Sequence, residues 1–262
     1  VYIVEAMKRL DRFYGNVGLT IGNFEGFHRG HREIIGTLAA ESRDRGLQVA
    51  VITFKEHPLK MLRGNEPERL TLPNEKILRL RKEKVDLLLY LDFSPSFADT
   101  KPLDFLEQMQ RYLAPRFLCL GRKFRFGKDN RGDIDFLVKM GGRFDFDVRV
   151  VDDVLHENEP ISSTRIRDAV KRGRFRLANA MLGRDYHLYV SAVPERSLVL
   201  PLCGNCAFPR TGSFRGELRC VHTGVRREVH AERFEGGFVL GDAVPLEEDC
   251  LYTLSFMEPE PV

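Results

Sequence analysis

The chain has 262 residues, enough for one large domain or two modest ones, and its 43% hydrophobic and 30% charged residues are the composition of a soluble globular protein, which excludes disorder. No apolar run reaches membrane-spanning length, and the opening residues Val-Tyr-Ile-Val-Glu-Ala-Met-Lys lack the order of a secretion signal, so a cytoplasmic protein with no membrane partner is expected. A net charge of +3 gives no ground for a nucleic-acid partner, although Lys and Arg cluster locally; phosphate-bearing small molecules stay open, and so does the oligomeric state.

In chain order, residues 17–21, 49–54, 87–93, 117–120 and 148–151 read as strands rich in Val, Ile, Leu and Phe on both faces, with 17–21 as the first. Helical periodicity fills the intervals at 32–45, 74–84, 102–113 and 134–143, with Asn74 and Pro102 as starts. Repeated strand-helix order implies a parallel α/β sheet. Two short helices follow at 162–172 and 175–182. From Tyr186 the pattern changes to short alternating runs at 187–193, 216–221, 229–234 and 251–256, the pattern of a small all-β domain. The expected division is therefore 1–184 and 185–262.

The loop after the first strand reads Thr20-Ile-Gly-Asn-Phe-Glu-Gly-Phe-His-Arg-Gly-His31. It would sit at the carboxyl edge of the sheet, where α/β proteins bind ligands, against a helix N-terminus whose free amides favour anions. Gly26 and Gly30 would let the backbone turn sharply beside a phosphate, and His28 and His31 would donate hydrogen bonds to a phosphoryl oxygen. The bland alternative is a tight turn followed by two solvated or core histidines.

Ile161-Ser-Ser-Thr-Arg-Ile-Arg167 places hydroxyls at another helix start, where Ser162 or Ser163 would cap and Arg165 and Arg167 would add positive charge. It reads as a second phosphate site or as a capped surface helix. Four of the five cysteines, Cys203, Cys206, Cys220 and Cys250, lie in the last quarter. Cys203-Gly-Asn-Cys206 with Cys220 and His222 offers four ligands for a structural zinc ion; reduced structural cysteines are the alternative.

These runs, together with Ile52-Thr-Phe-Lys-Glu-His-Pro58, Gly121-Arg-Lys-Phe-Arg-Phe-Gly127 with Gly132-Asp133, and Ala180-Met-Leu-Gly-Arg184, resemble the bacterial bifunctional riboflavin kinase/FAD synthetases over about the first 190 residues. The resemblance implies a Rossmann-like sheet of the His-x-Gly-His nucleotidyltransferase type, followed by a small antiparallel β-barrel. It also implies adenylyl transfer from ATP, with Mg²⁺, to FMN, giving FAD and pyrophosphate. His28 and His31 would act on the α-phosphate. Gly22, Asn23, Phe24 and Gly30 would hold the nucleotide, and Ser163, Thr164 and Arg167 the departing pyrophosphate. FMN would lie between Phe54, His57 and Pro58 on one side and Lys123, Arg125 and Phe126 on the other, within a basic cluster that includes Arg122, Lys128 and Arg131.

Three departures stand out. Glu25 replaces the family's usual Asp, which keeps the charge. Lys123 stands where the family has Asn or Asp, and a lysine cannot accept a hydrogen bond there. In the barrel, the Gly-x-Pro-Thr-Ala-Asn element that cradles ATP and metal for riboflavin phosphorylation is missing between Val193 and Pro209, and the sequence stops soon after Phe256. Glu228-Val-His230 resembles the strand that carries the kinase's general base. The expected barrel is thus a degenerate kinase module kept for packing or assembly. The alternatives are an adenylyltransferase acting on another phosphorylated small molecule, and a non-enzymatic flavin- or nucleotide-binding protein.

Overall fold

The computed structural model describes residues 1–7, 15–64, 66–193, 197–234, 236–241, 244, 246–247 and 250–257. Pro194–Glu195–Arg196, the start of the stretch in which the kinase cradle is missing, lies outside the described residues.

The first compact unit comprises Val1–Pro67 and Pro73–Leu155. In chain order it contains β1 (Tyr2–Val4), β2 (Val17–Ile21), α1 (Arg29–Asp44), β3 (Gln48–Phe54), α2 (Pro58–Arg63), α3 (Pro73–Lys82), β4 (Leu87–Leu91), α4 (Pro95–Ala98), α5 (Pro102–Leu113), β5 (Pro115–Gly121), α6 (Ile134–Phe144) and β6 (Asp147–Val151). The strands form a six-stranded parallel sheet in the order β1-β4-β3-β2-β5-β6.

Every residue of β2 and β4 is buried, as their unbroken apolar runs require of strands covered on both faces. Alternate side chains feed two cores. Val49, Val51, Leu88 and Phe117 pack with Ile35 and Leu38 of α1 and Leu80 of α3. Leu19, Ile52, Leu89 and Leu118 pack with Phe105, Leu106 and Met109 of α5 and Leu137 of α6. This is the expected parallel α/β sheet. The strand at 17–21 is the second rather than the first, because β1 is a three-residue edge strand too short to show a period. The six-residue α2 and four-residue α4 escape periodicity for the same reason, although each opens on a proline.

The chain steps from β2 to β3 to β4 on one side and then returns to lay β5 against the other side of β2. The strand order reverses between β2 and β5, so the loops leaving these two strands flank the crevice where such sheets bind ligands.

The second unit comprises Glu68–Leu72 and the chain from His156. The short hairpin of β7 (Leu155–His156) and β8 (Glu159–Pro160) precedes α7 (Ser163–Lys171) and α8 (Phe175–Leu182). Then come β9 (His187–Val193), β10 (Leu198–Pro201), β11 (Ser213–Cys220), β12 (Arg226–Phe234), β13 (Gly237–Leu240) and β14 (Leu251–Met257), which close an antiparallel barrel in the order β10-β13-β12-β11-β14-β9. The short strands β10 and β13 have no counterpart in the sequence pattern.

Packing divides the chain elsewhere than at 184–185, since α7 and α8 belong with the barrel. Phe175 of α8 stacks on Phe256 at 4.7 Å and meets Phe214 edge-on at 5.6 Å. The segment 68–72 joins this unit through Arg69 N donating to Asn205 O (2.7 Å) and Ala207 N donating to Arg69 O (2.8 Å). Among the described residues no helix is long and apolar enough to cross a membrane.

Candidate active site

At the carboxyl end of β2 the chain enters a tight turn over Glu25–Phe27 before α1. Phe24 and Phe27 adopt positive φ of 50° and 42°, which side chains of this bulk rarely do, and Gly26 between them sits at 75°. Backbone held in such a conformation points to a functional constraint. The turn delivers His28 to the N-cap of α1, where its Nδ1 accepts the His31 amide (3.4 Å). The helix thus starts at Arg29, three residues earlier than the periodicity suggests.

The two imidazoles stack with centroids 3.6 Å apart, and Phe24 packs edge-on against His31 at 5.3 Å. Gly30 makes room for this stack, because a Cβ there would lie 3.2 Å from the His28 ring. Burial holds the His31 imidazole well below its ordinary pKa, with positive charge at His28 and Lys76 adding to the effect. His31 is therefore neutral at pH 7.

Two buried nitrogens, Asn23 Nδ2 in this loop and His31 Nδ1 in the first turn of α1, have no hydrogen-bond partner among the described residues. Buried polar atoms are rarely left so, and their place at one strand-to-helix junction fits a site completed by a polar ligand.

Lys76 is a site residue that the sequence pattern does not reveal. It is 4% exposed on α3 and donates to Phe54 O (2.7 Å) and Asn23 O (3.3 Å), tying the ends of β2 and β3 together. Thr53 Oγ1 also donates to Asn23 O (3.2 Å). Inside a charged, helix-period segment Lys76 looks like any surface lysine, and its burial follows from how α3 packs over the sheet edge.

Beside this loop opens a cavity of about 430 Å³, lined from one side by Gly22, Asn23, Phe54 and Pro58 and from the other by residues 123–130. Its floor is aromatic. Phe54, Phe93 and Phe97 lie in mutual edge contact at 5.1–5.6 Å, and Phe105 and Phe126 continue the chain of rings. Phe126 and Gly132 exchange backbone hydrogen bonds of 3.0 Å each, closing the 121–132 loop, and the Phe126 ring occupies the space over Gly132.

Phe54, Pro58, Lys123, Arg125 and Phe126 are thus brought to one cavity, whereas His57 serves as N-cap of α2, accepting the Leu59 amide (3.2 Å). The basic cluster is matched by carboxylates. Lys123 pairs with Asp153 (2.6 Å), Lys128 with Asp99 (2.9 Å), Arg125 with Asp133 (3.8 Å), Arg131 with Asp129 (3.7 Å), and Arg122 with Asp152. Exposed pairs of this kind hold little energy and can exchange for a ligand phosphate.

The Ser-Ser-Thr motif lies on the second unit. Ser162 Oγ caps α7 by accepting the Arg165 amide (3.2 Å), leaving Ser163 and Thr164 in its first turn. Arg165 turns onto the β7–β8 hairpin, donating to His156 O (2.9 Å) and Glu159 O (3.1 Å), and Arg167 Nε donates to Glu68 O (2.6 Å).

On the barrel, Glu228 is exposed on β12 directly opposite Glu217 of β11, while its neighbours in the alternation, Val229 and Ala231, fill the interior. The expected cysteine set is regrouped. Cys206 is buried at the bridge to Arg69, while Cys220 and His222 are joined by Cys250, because β14 pairs with β11 and brings its first residues beside the β11–β12 turn. The hydroxyl and amide of Thr223 and the amide of His222 hydrogen-bond the Cys220 sulfur and bring its pKa down to about 7; Cys250, bonded to the Glu247 carboxylate, is pushed up to about 12.

Comparison with known proteins fits this geometry. The bifunctional riboflavin kinase/FMN adenylyltransferase of Escherichia coli (strain K12) is 36% identical over 170 residues, 64% of this chain and 54% of that protein. The protein of the same name from Buchnera aphidicola subsp. Acyrthosiphon pisum is 32% identical over 188 residues, 71% of this chain and 60% of the relative. The chain thus spans less than two thirds of these bifunctional relatives. The FAD synthetase of Listeria monocytogenes serovar 1/2a is 30% identical over 220 residues, covering 83% of this chain and 88% of the relative. A crystal structure of a macrolide-efflux protein from Streptococcus pneumoniae shares the fold over 97% of this chain and 88% of its own, with a TM-score of 0.82 at 22% identity. Residues 12–165, which carry both the histidine loop and the aromatic cavity, match the FAD synthetase family model, and the chain belongs to that family.

Proposed function

We propose that the protein transfers the adenylyl group of ATP to FMN, forming FAD and releasing pyrophosphate. The observation that carries this reading is the adjacency of two features at the switch point of one sheet: a histidine loop with unsatisfied buried nitrogens, and a cavity floored by phenylalanines. The first suits a phosphate. The second suits a flat, apolar ring system such as isoalloxazine, and argues for an aromatic acceptor over other phosphorylated small molecules.

In the reaction an FMN phosphate oxygen attacks the α-phosphorus of ATP, the new P–O bond forms, and the bond to the β-phosphate oxygen breaks with pyrophosphate as leaving group. Phosphoryl-type transfers of this kind need positioning and charge stabilisation more than covalent help. His28, at the N-cap of α1, and neutral His31 behind it would hold the α-phosphate oxygens, with the helix N-terminus adding to the field. Asn23 would complete its hydrogen bonds on the nucleotide. Ser163, Thr164 and Arg167 would receive the pyrophosphate. Mg²⁺ accompanying ATP would neutralise part of the phosphate charge.

The protein would work among small-molecule substrates in the cytoplasm, and the barrel would contribute no phosphorylation of riboflavin. Product analysis after incubation with ATP, Mg²⁺ and FMN tests the reading. FAD and pyrophosphate in equal amounts are expected; adenylylation of a different phosphorylated acceptor with none of FMN would overturn it.

A further inference from the structure

The turn that joins β11 to β12 leaves Cys220 at the end of β11 and carries His222 two residues on; it is closed by Gly224 N donating to Cys220 O (3.0 Å) and Cys220 N donating to Val225 O (2.9 Å). β14 runs antiparallel beside β11, with Cys220 opposite Tyr252 and Val221 N donating to Leu251 O (2.8 Å), so Cys250 arrives at the same end of the barrel. The ligand atoms of Cys220, His222 and Cys250 all lie within 4.8 Å of one another. Glu247 Oε2 accepts from Cys250 Sγ at 2.9 Å, beside the three converging ligand atoms but not one of them.

The geometry points to a structural zinc site formed by Cys220, His222 and Cys250, with Glu247 or water completing a tetrahedron, which staples the β11–β12 turn to the start of β14. Two thiolates and an imidazole form the mixed sulfur and nitrogen set that selects zinc over hard cations such as Mg²⁺ or Ca²⁺. The Cys220 sulfur already has the outer partners expected of a metal thiolate, since the Thr223 hydroxyl and neighbouring backbone amides hydrogen-bond to it. Cys203 and Cys206, although spaced as a Cys-x-x-Cys pair, take no part, since Cys206 is buried where the 68–72 segment pairs with this unit. The site lies wholly within the second unit and is independent of the adenylyl-transfer chemistry.

The test uses the full chain, purified under a thiol reductant, supplied with Zn²⁺ and gel-filtered, with bound metal measured by mass spectrometry. One zinc per chain is expected, falling at least fivefold in Cys220→Ser and Cys250→Ser and clearly in His222→Ala, and unchanged in Cys203→Ser. Titration of the metal-free wild type with Co²⁺ provides a second readout that needs no variant: thiolate-to-cobalt charge-transfer absorption and intense tetrahedral d–d bands should appear and be abolished by Zn²⁺. Absence of both stoichiometric zinc and the cobalt bands in reduced wild-type protein would overturn the site. Loss of zinc from Cys203→Ser as complete as from Cys220→Ser would overturn this ligand set.

Discussion

His28 and His31 stack face to face, with centroids 3.6 Å apart and planes 18° from parallel, while the backbone amide of the second donates to the ring nitrogen of the first. A stack this close disfavours two positive charges: His28 accepts the His31 amide with an Nδ1 that carries no proton, and burial lowers the pKa of His31. The pair sits together at the start of α1.

Replacing either histidine by alanine should therefore lower turnover about a hundredfold, the scale of losing one donor to a developing oxyanion, with the fold intact. Steady-state FAD formation and circular dichroism check this. Unchanged turnover in either variant would remove that histidine from the mechanism.

Lys76 connects the histidine pair to stability. Replacing it with methionine leaves Phe54 O and Asn23 O without their lysine donor and should cost about 1–3 kcal/mol in denaturant unfolding. It also removes one of the positive charges that depress His31, so the His31 imidazole should titrate at higher pH in Lys76→Met, as read by NMR. The linkage has a definite sign. Because the folded pKa lies below the unfolded value of about 6.5, the unfolded chain binds the extra proton, and stability falls as pH drops from about 6.5 toward the folded pKa. His31→Gln should flatten that segment of the stability profile. An identical slope in the variant would assign the effect to other groups.

The aromatic floor yields a prediction that separates the two substrates. Phe97 touches Phe54, Phe93 and Phe105 and lines the cavity. Phe97→Leu keeps the apolar character and loses ring-to-ring geometry, which is worth about 0.5–1.5 kcal/mol, or about two- to thirteenfold in FMN affinity. Affinity for ATP should stay as it was. Equal weakening of both ligands, measured by calorimetry, would show that the substitution disturbs the loop rather than a flavin surface.

Much of this architecture is legible in the sequence because buried parallel strands read as unbroken apolar runs, as at 17–21, and because caps and prolines mark helix starts, as at Pro102 and Ser162. The histidine loop is legible as a strand-to-helix turn, because Gly22, Gly26 and the capping His28 stand between β2 and α1 in the sequence as they do in the fold. What stays hidden is set by tertiary packing. Phe93 and Phe97 look like ordinary core residues until β4 and α4 place them beside Phe54. Lys76 looks like a solvated lysine until α3 is docked. Cys250 joins Cys220 only through the pairing of β14 with β11, a contact thirty residues distant in sequence that no spacing rule encodes.

The barrel supplies the last prediction. A general base for riboflavin phosphorylation would need to face a nucleotide-binding pocket, and catalysis of this kind rests mainly on positioning the nucleotide. Glu228 instead stands exposed on β12, opposite the like-charged Glu217, which in turn lies 3.7 Å from Arg226. Like charges facing across an antiparallel pair repel, so Glu228→Gln should be neutral or stabilising by about 0.2–1 kcal/mol. With the cradle sequence missing as well, riboflavin and ATP should give no FMN, and Glu228→Gln should form FAD from FMN at the wild-type rate. Chromatographic product analysis of both proteins with both flavins decides the matter. Robust FMN production that Glu228→Gln abolishes would mean that the outer face of β12 is a working kinase site after all.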